Sequence, residues 1–126
     1  MVANTIASRK AKGRNLQQYV RDKILETFPE LSERDVISTP MGVSGEDVWL
    51  SEKANSLFPH SIECKNVEKL NIWNALVKTE QANRRETGIL VIKRNNTKPY
   101  CVIDFDVFMS LIKKVHNDSR EEIRKD

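Results

Sequence analysis

Hydrophobic positions repeat along the chain with a helical period in three segments. Leu16, Val20, Ile24 and Phe28 recur every four residues, which predicts an amphipathic helix over 15–28 that ends before Pro29. Two further apolar stripes predict helices over 71–85 and 105–115. The residues expected to face the core are Ile72, Trp73, Leu76 and Val77 in the second helix, and Phe108, Leu111, Ile112 and Val115 in the third.

Short β-branched or alternating runs predict strands between these helices. They cover residues 36–39, 47–50, 61–65, 88–93 and 100–104, and the last two strands form a hairpin. A helical turn is compatible with the sequence after the second strand. The second and third strands are expected to pair. The order αβββαββα predicts one α/β domain, in which a mixed central sheet flanked by helices on both faces buries every apolar stripe.

The amino-acid composition indicates which class of protein the chain belongs to. The chain has 126 residues, of which 39% are hydrophobic and 31% charged, and this balance is typical of a soluble, globular domain. No apolar run approaches the ~20 residues of a membrane helix, and the start lacks the apolar region of a secretory signal. We therefore expect a cytoplasmic protein without a membrane partner, whose two cysteines, Cys64 and Cys101, are buried thiols.

Charge is concentrated at the start of the chain. The first fourteen residues contain no acid and four basic side chains: Arg9, Lys10, Lys12 and Arg14. This segment carries +4 and leaves −1 for the rest of a chain whose net charge is +3. Such an arm suits a phosphate-binding protein, and on charge alone a solvated terminus explains it as well.

These signals divide the chain into three parts. Residues 1–14 are predicted to form a flexible basic arm, residues 15–116 the folded domain, and residues 117–126 a charged, frayed tail.

Two acids and a lysine form the candidate catalytic group. Asp47 opens the second strand after a glycine-containing loop, and Glu63 and Lys65 share one face of the third strand. If the two strands pair, two carboxylates converge beside a lysine, an arrangement that favours a bound divalent cation. The lysine could orient or deprotonate an attacking water, or neutralise a phosphate. This chemistry suits phosphodiester hydrolysis, although an acid and a lysine two residues apart are also common by chance.

The segments Gly45-Glu46-Asp47-Val48 and Ser61-Ile62-Glu63-Cys64-Lys65-Asn66 resemble the signature of the PD-(D/E)XK nuclease superfamily. With the Lys12–Gln18 segment and the helix that follows, the chain is similar to small archaeal-type Holliday junction resolvases and to short phage-encoded endonucleases. The likeness runs from about Lys12 to Val115. It implies a restriction-endonuclease-like fold and a location in the cytoplasm of a bacterium or a phage-infected host.

The resemblance also implies roles for single residues. Asp47, Glu63 and the Cys64 carbonyl would bind Mg²⁺, for which Mn²⁺ can substitute, and Lys65 would be the catalytic lysine. The resolvases usually place a glutamate on the first helix, near Gln17. The periodicity places Gln17 at the edge of the apolar stripe, where its carbonyl could hold a water at the metal, and turns Gln18 elsewhere.

The function indicated is a metal-dependent DNA endonuclease, selective for branched or otherwise structured DNA, without a small-molecule cofactor. Cutting two strands needs two sites, which favours a homodimer. A nucleic-acid-binding module without catalysis is the alternative, and Gln17 in place of a glutamate is the reason for it. Besides the arm, the candidate DNA contacts are Ser44, Gln81, Arg84 and Arg85, each of which could instead be an ordinary solvated side chain.

Overall fold

The computed structural model describes residues 5–43 and 45–125, and it confirms the α/β class. In chain order the elements of this part are α1 (Ile6–Thr27), β1 (Val36–Ser38), β2 (Val48–Leu50), α2 (Glu52–Leu57), β3 (His60–Asn66), α3 (Ile72–Ala82), β4 (Thr87–Lys93), β5 (Tyr100–Val102) and α4 (Phe105–Lys125). The predicted order αβββαββα lacks one observed element, the helix α2. In this segment the sequence is compatible with a single helical turn. The Ser51 side chain caps this helix by accepting a hydrogen bond from the Ala54 N–H at 3.1 Å.

The strands form two ladders instead of one continuous sheet. β1 and β2 pair antiparallel, while β3 pairs parallel to β4, which forms the predicted antiparallel hairpin with β5. The predicted pairing of the second and third strands is wrong, because β2 and β3 belong to different ladders. Their closest link is a side-chain hydrogen bond, described below with the candidate site.

Both long helices extend beyond their predicted bounds. α1 begins at Ile6, where the Thr5 side chain accepts a hydrogen bond from the Ser8 N–H at 3.0 Å. Residues 6–14 are therefore helical, and the flexible arm predicted over 1–14 is wrong for them. α4 likewise continues into the predicted tail, to Lys125. Within the described residues, no helix is both long and apolar enough to cross a membrane.

One hydrophobic core joins the two ladders. Leu16 and Ile24 of α1 pack over β3, in which Ile62 and Cys64 point to the same side. The remaining buried members of this cluster are Leu31, Val36, Val48, Leu50, Ala54, Ile89 and Val91. The opposite face of β3 carries Ser61, Glu63 and Lys65, as the alternation predicts. Hydrophobic packing therefore fixes the direction in which Glu63 points.

α3 covers that opposite face with small residues. Ala75 and Thr79 are its buried positions, and Trp73 and Val77, predicted to face the core, are 79% and 53% exposed. The close approach explains this orientation, because a Cβ atom on Gly88 of β4 would lie 3.2 Å from the Thr79 carbonyl oxygen. A larger residue of α3 would not fit at this distance from the sheet.

α4 also differs from its predicted packing. From Phe105 to Arg124, only Val107 and Leu111 are partly buried. The predicted core residues Phe108, Ile112 and Val115 are 44%, 46% and 63% exposed. The thiol of Cys64 is buried as predicted, whereas Cys101 is exposed.

Two glycine-to-alanine substitutions should shift stability in opposite directions. Gly13→Ala places a methyl group 3.7 Å from the flexible Met41 side chain inside α1, so we expect about 0.5–1 kcal/mol of stabilisation. Gly88→Ala crowds the α3 backbone, so we expect about 1–3 kcal/mol of destabilisation. Urea denaturation of both variants measures the difference. A neutral or stabilising Gly88→Ala would contradict the close packing of α3 on β4.

Candidate active site at the free edge of the third strand

The carboxyl groups of Asp47 and Glu63 meet where β2 approaches β3. Asp47 directly precedes β2, and its backbone carbonyl accepts a hydrogen bond from the Thr39 N–H at 2.9 Å. Its Oδ2 accepts a hydrogen bond from the Cys64 N–H at 2.7 Å. The Asp47 and Glu63 carboxyl groups lie close enough to share a proton. The structure thus brings the two predicted acids together. The link is the Asp47 side chain instead of the predicted ladder between the two strands.

Cys64 presents its backbone groups to the open edge of β3. Only every second residue of β3 hydrogen-bonds to β4. At the two ends of the ladder these are odd-numbered residues, because the Pro59 carbonyl accepts from the Thr87 N–H and the Val67 N–H donates to the Lys93 carbonyl. The N–H and C=O of one residue point to the same side of a strand, and this side alternates along it. The Cys64 carbonyl therefore faces away from β4, toward the edge at which Asp47 binds the Cys64 N–H. A carbonyl oxygen and two carboxyl groups share one edge.

Burial and a like charge alter the acidity of Glu63. Desolvation first, then the charge of Asp47 and the hydrogen bond between the two carboxyl groups, raise the pKa of Glu63 to about 7. The exposed Lys65, on the same face of β3, opposes this shift with its positive charge. Near neutral pH the Glu63 proton is therefore readily lost, and any cation placed between the acids favours its loss.

The donor set of this edge fits a hard cation. Within 5–43 and 45–125, His, Cys, Asp and Glu do not gather in a metal-binding group of three or more. Mg²⁺ nevertheless needs only one or two carboxylates, because water and substrate phosphates complete its shell. Asp47, Glu63 and the Cys64 carbonyl supply oxygen. The Cys64 sulfur is unsuited, because burial and the neighbouring acids raise the pKa of the thiol.

A small cavity of about 140 Å³ opens beside Glu63. It lies between β3 and the end of α3, and Arg84 is one of its lining residues. The other lining residues are Gly45, Glu46, Ser61, Thr79 and Ala82. The Arg84 N–H donates to the Ser61 Oγ at 3.2 Å, which ties the loop after α3 to the sheet. Ser61 and Thr79 give no functional signal in the sequence, because their place in the cavity depends on how α3 packs.

Arg85 forms an internal ion pair instead of an open phosphate contact. Its Nε and Nη2 donate to the two carboxylate oxygens of Glu46 at 2.6 and 2.7 Å. The guanidinium also donates to the Asn55 side chain at 2.8 Å and to the Leu50 carbonyl at 3.2 Å. Both partners of the pair are nearly buried, with 13% and 14% of their side chains exposed. The interpretation of Arg85 as a DNA contact is therefore corrected.

Gln17 lies inside the protein, next to β1. It is 5% exposed, and its Oε1 accepts a hydrogen bond from the Ser38 hydroxyl at 3.1 Å. Ser38 pairs with Val48, the residue after Asp47, so the amide lies one strand away from the acidic edge. Gln18 is exposed, which confirms the predicted helix register.

A basic groove continues beyond the acidic edge. Arg9 and Lys12 of α1 line a cavity of about 580 Å³ together with Lys69 and one acid, Glu68. The Asn66 side chain, also in this lining, donates to the Lys12 carbonyl at 3.0 Å and holds α1 against β3. Asn66 follows Glu63 by three residues, or about 10 Å along the strand. Positive side chains and the acidic edge therefore lie along one strand.

The other candidate DNA contacts lie elsewhere. Lys10 and Arg14 are exposed on another face of α1, outside the lining of the basic groove. Gln81 is exposed on α3 and lies outside the lining of the small cavity, which Thr79 and Ala82 contact instead. Ser44 falls outside the described residues. Among the predicted contacts, Arg9, Lys12 and Arg84 are those that line a cavity.

Comparison with family models, with curated proteins and with solved structures finds no match for this chain.

The acidity of Glu63 predicts a pH dependence of stability. Between the ordinary carboxyl pKa of 4.5 and the folded-state value of about 7, the folded chain holds a proton that the unfolded chain releases. The Glu63 contribution to the free energy of unfolding should therefore fall as the pH rises through this window. Glu63→Gln removes this contribution. As the pH increases through the window, the melting temperature of the variant should therefore rise relative to that of the wild type.

Thermal denaturation in EDTA across the window measures this difference. Added Mg²⁺ should raise the wild-type melting temperature more above the window than below it, because the cation competes with the proton. A difference between variant and wild type that stays constant with pH would contradict the assigned acidity.

Proposed function

We propose that this chain is a metal-dependent endonuclease that hydrolyses phosphodiester bonds in DNA. The observation that carries the proposal is the half-buried pair of carboxyl groups, Asp47 and Glu63, which lie close enough to share a proton at a strand edge where the Cys64 N–H holds Asp47. Folding brings two like charges together there, and this destabilises the ionised state unless a cation binds between them. Stability alone does not account for such a pair, whereas cation binding does.

Asp47, Glu63 and the Cys64 carbonyl would hold Mg²⁺, or Mn²⁺ in its place. The cation would supply Lewis-acid stabilisation of the scissile phosphate and lower the pKa of an attacking water. Asp47 keeps its orientation through the Cys64 N–H, so the carboxylate is preorganised for binding. The core-facing Ile62 and Cys64 side chains fix Glu63 on the other side of the strand.

Lys65 and Arg84 supply positive charge on the same side of the sheet. Lys65 is exposed and can reach an incoming phosphate, where it neutralises developing charge or moves a proton from the attacking water. Arg84 lines the cavity beside Glu63 and can hold a non-bridging phosphate oxygen. The buried Gln17 supports the site from α1 as a positioning residue, through Ser38 of β1.

DNA is the substrate that the charge distribution favours. Arg9, Lys12 and Lys69 form a groove that follows the acidic edge along β3, where they can contact backbone phosphates. Such contacts read shape rather than base sequence, which suits a branched substrate such as a Holliday junction. Cleavage of two strands would then require two copies of the chain.

A non-catalytic DNA-binding module is the second candidate. One observation favours it: the Gln17 carbonyl is occupied by Ser38, and α1 brings no carboxylate to the edge. The groove would then bind DNA while the acids remain unable to support turnover. Cleavage measured with and without a divalent cation separates this candidate from the nuclease.

Neutral isosteres of the two acids should abolish cleavage. The substrates are a four-way junction and a linear duplex, each incubated with Mg²⁺, Mn²⁺ or EDTA. We expect cleavage only with the cations, and a loss of at least ~100-fold in Asp47→Asn and Glu63→Gln, because each removes a charged ligand. DNA binding should persist or tighten, because repulsion of the phosphates decreases. Glu33→Gln, at an exposed turn, is the matched control.

Lys65→Ala tests whether the lysine acts in turnover while the two acids bind the metal. Turnover should fall by ~100-fold or more, while the Mg²⁺-induced rise in melting temperature stays at the wild-type value, because an ammonium group is not a metal ligand. Lys78→Ala, exposed on α3, is its control. Wild-type turnover in Asp47→Asn would assign the chemistry elsewhere, and DNA binding without any cleavage by the wild type would support the second candidate.

The basic groove predicts a difference between neighbouring lysines. Lys12→Ala should weaken DNA binding and reduce the slope of log affinity against log salt by ~0.9 for one lost phosphate contact. Lys10→Ala, on another face of the same helix, should leave the slope unchanged. Fluorescence anisotropy at several salt concentrations gives both slopes. Equal slopes for the two variants would show that the groove is not the path of the DNA.

A further inference from the structure

Another cavity lies where the parallel strands β3 and β4 end, and the proposed chemistry makes no use of it. This strand-end pocket has a volume of about 420 Å³, within the ~300–1,000 Å³ of small-molecule sites. Val67, Leu70, Ile72 and Ile92 give it apolar walls. Val67 and Ile72 are 38% and 37% exposed, so part of this apolar surface is open to a ligand.

Tyr100 adds an aromatic surface to the pocket. It is the first residue of β5, it lines the pocket, and it is 56% exposed. Bases of single strands stack on exposed aromatic rings, and such stacking accepts every base because each has a π-face. Tyr19, the other tyrosine of the chain, is 46% exposed on α1 and lines neither this pocket nor the basic groove.

Basic side chains surround the Tyr100 ring. Lys93 and Arg94 line the pocket, and the Lys98 Nζ lies 5.6 Å from the centroid of the ring. Glu68 is the acid among the described lining residues. Apolar and aromatic walls suit the two faces of a base, and the surplus of positive charge suits the phosphate attached to it. A nucleotide therefore matches the pocket in both respects.

The sheet register places the ring on the face that carries Glu63. Ile92 of β4 pairs with Lys65 of β3 on one side and with Tyr100 of β5 on the other. Paired residues of neighbouring strands point to the same face, so these three form one row across the sheet. The Cα atoms of Lys65 and Tyr100 are then about 10 Å apart. This distance is roughly three steps of ~3.4 Å along one strand of DNA.

The pocket is also continuous with the basic groove. Val67 and Glu68 line both cavities. A DNA strand that leaves the groove over these two residues would reach the pocket directly.

Hydrogen bonds fix the walls of the pocket before any ligand binds. The Val67 N–H donates to the Lys93 carbonyl at 3.1 Å, and the Asn95 N–H donates to the Glu68 carboxylate at 3.2 Å. The Arg94 N–H donates to the Thr97 Oγ1 at 3.2 Å, which holds the turn between β4 and β5. A preformed site loses less conformational entropy when it binds its ligand.

We propose that the strand-end pocket binds one unpaired nucleotide of a DNA strand that follows the basic groove. The base stacks on Tyr100, and Arg94 holds the phosphate. The inference rests on the proposed function in taking the groove as the path of the DNA. Extruding a base from a duplex costs free energy, whereas a single-stranded base is already free to enter. The substrate class is thereby narrowed to DNA in which a single-stranded segment adjoins a duplex.

Binding of DNA without cleavage tests the pocket. The probes are a blunt duplex and the same duplex with a short single-stranded tail at either end of one strand, measured by fluorescence anisotropy in EDTA. We expect the wild type to bind one tailed duplex about 10-fold more tightly than the blunt one, the scale of one stacked base. Tyr100→Ala should lose this preference, and Tyr100→Phe should keep it because the ring remains.

Tyr19→Ala is the matched control. The Lys23 Nζ lies 5.9 Å from the Tyr19 ring, much as Lys98 lies beside Tyr100, so both variants remove a tyrosine next to a lysine. Tyr19→Ala should keep the wild-type preference for the tail. Circular dichroism verifies that each variant is folded.

Abasic nucleotides locate the base that enters the pocket. When the tail lacks one base at a time, a single position should weaken wild-type binding by about 10-fold. The same abasic tail should bind Tyr100→Ala no more weakly than the intact tail does, because the stacking partner is already absent. This coupling separates stacking on Tyr100 from a general effect of either change.

Arg94→Ala tests the phosphate contact. It should reduce the slope of log affinity against log salt by ~0.7 for the tailed duplex, the value for one contact to a single strand, and leave the slope for the blunt duplex unchanged. Arg34→Ala, at an exposed turn, is its control.

Three results would overturn the inference. These are equal wild-type affinities for tailed and blunt duplexes, equal losses in Tyr100→Ala and Tyr19→Ala, and displacement of the tailed duplex by an equal concentration of deoxyadenosine monophosphate, which would make the pocket a site for free nucleotides. The nuclease assay gives a separate answer. A wild type that prefers the tail through Tyr100 but cuts nothing retains the pocket without the chemistry, and one that cuts DNA but binds both duplexes equally does the reverse.

Discussion

The hydrogen bond from the Cys64 N–H to the Asp47 carboxylate is the interaction on which the candidate site depends. It joins the two ladders at a place where no backbone pairing links β2 to β3. The N–H at the edge of β3 needs a partner once α1 covers the strand, and a carboxylate is the strongest acceptor available. The same bond holds Asp47 beside Glu63, so the contact that joins the ladders also creates the electrostatic conflict between the acids.

An ion pair next to the two acids limits that conflict. Glu46 adds a third acid to the same region and contributes to the raised pKa of Glu63. The Arg85 guanidinium binds Glu46 through both oxygens and also holds Asn55 and the Leu50 carbonyl. The charge of Glu46 is thus neutralised within the protein, and its loop is fixed next to β2. Asp47 and Glu63 take part in no such ion pair within the described part of the chain.

Side-chain orientations that depend on local periodicity were predictable from the sequence. The alternation of Ile62 and Cys64 with Glu63 predicted which side of β3 meets the core. The register of α1 predicted an outward Gln18 but placed Gln17 at the edge of the apolar stripe, whereas the structure buries it. The sequence also paired Asp47 with Glu63, although through an assumed strand ladder. Element bounds were less predictable, because the cap at Thr5 lies ahead of the apolar stripe that identified α1.

Contacts between residues distant in sequence could not be predicted. Glu46 and Arg85 are 39 residues apart, and no pattern in either segment identifies one as the partner of the other. The orientation of α3 likewise depends on Gly88, which lies outside the helix and admits only small residues against β4. Apolar periodicity selected Trp73 and Val77 as core residues, since in isolation a large side chain is the better candidate for burial.

The exposed faces of α3 and α4 follow from the small area of the sheet. β3, β4 and β5 offer two faces, one covered by α1 and the other by the close contact of Ala75 and Thr79 of α3. Close packing brings the backbone of α3 to the sheet and turns its large side chains outward. α4 then begins just after the edge strand β5, and from Phe105 to Arg124 only Val107 and Leu111 are partly buried. The apolar periodicity of α4 correctly predicted an amphipathic helix, but Phe108, Ile112 and Val115 stay exposed because α1 and α3 already cover the two faces of this sheet.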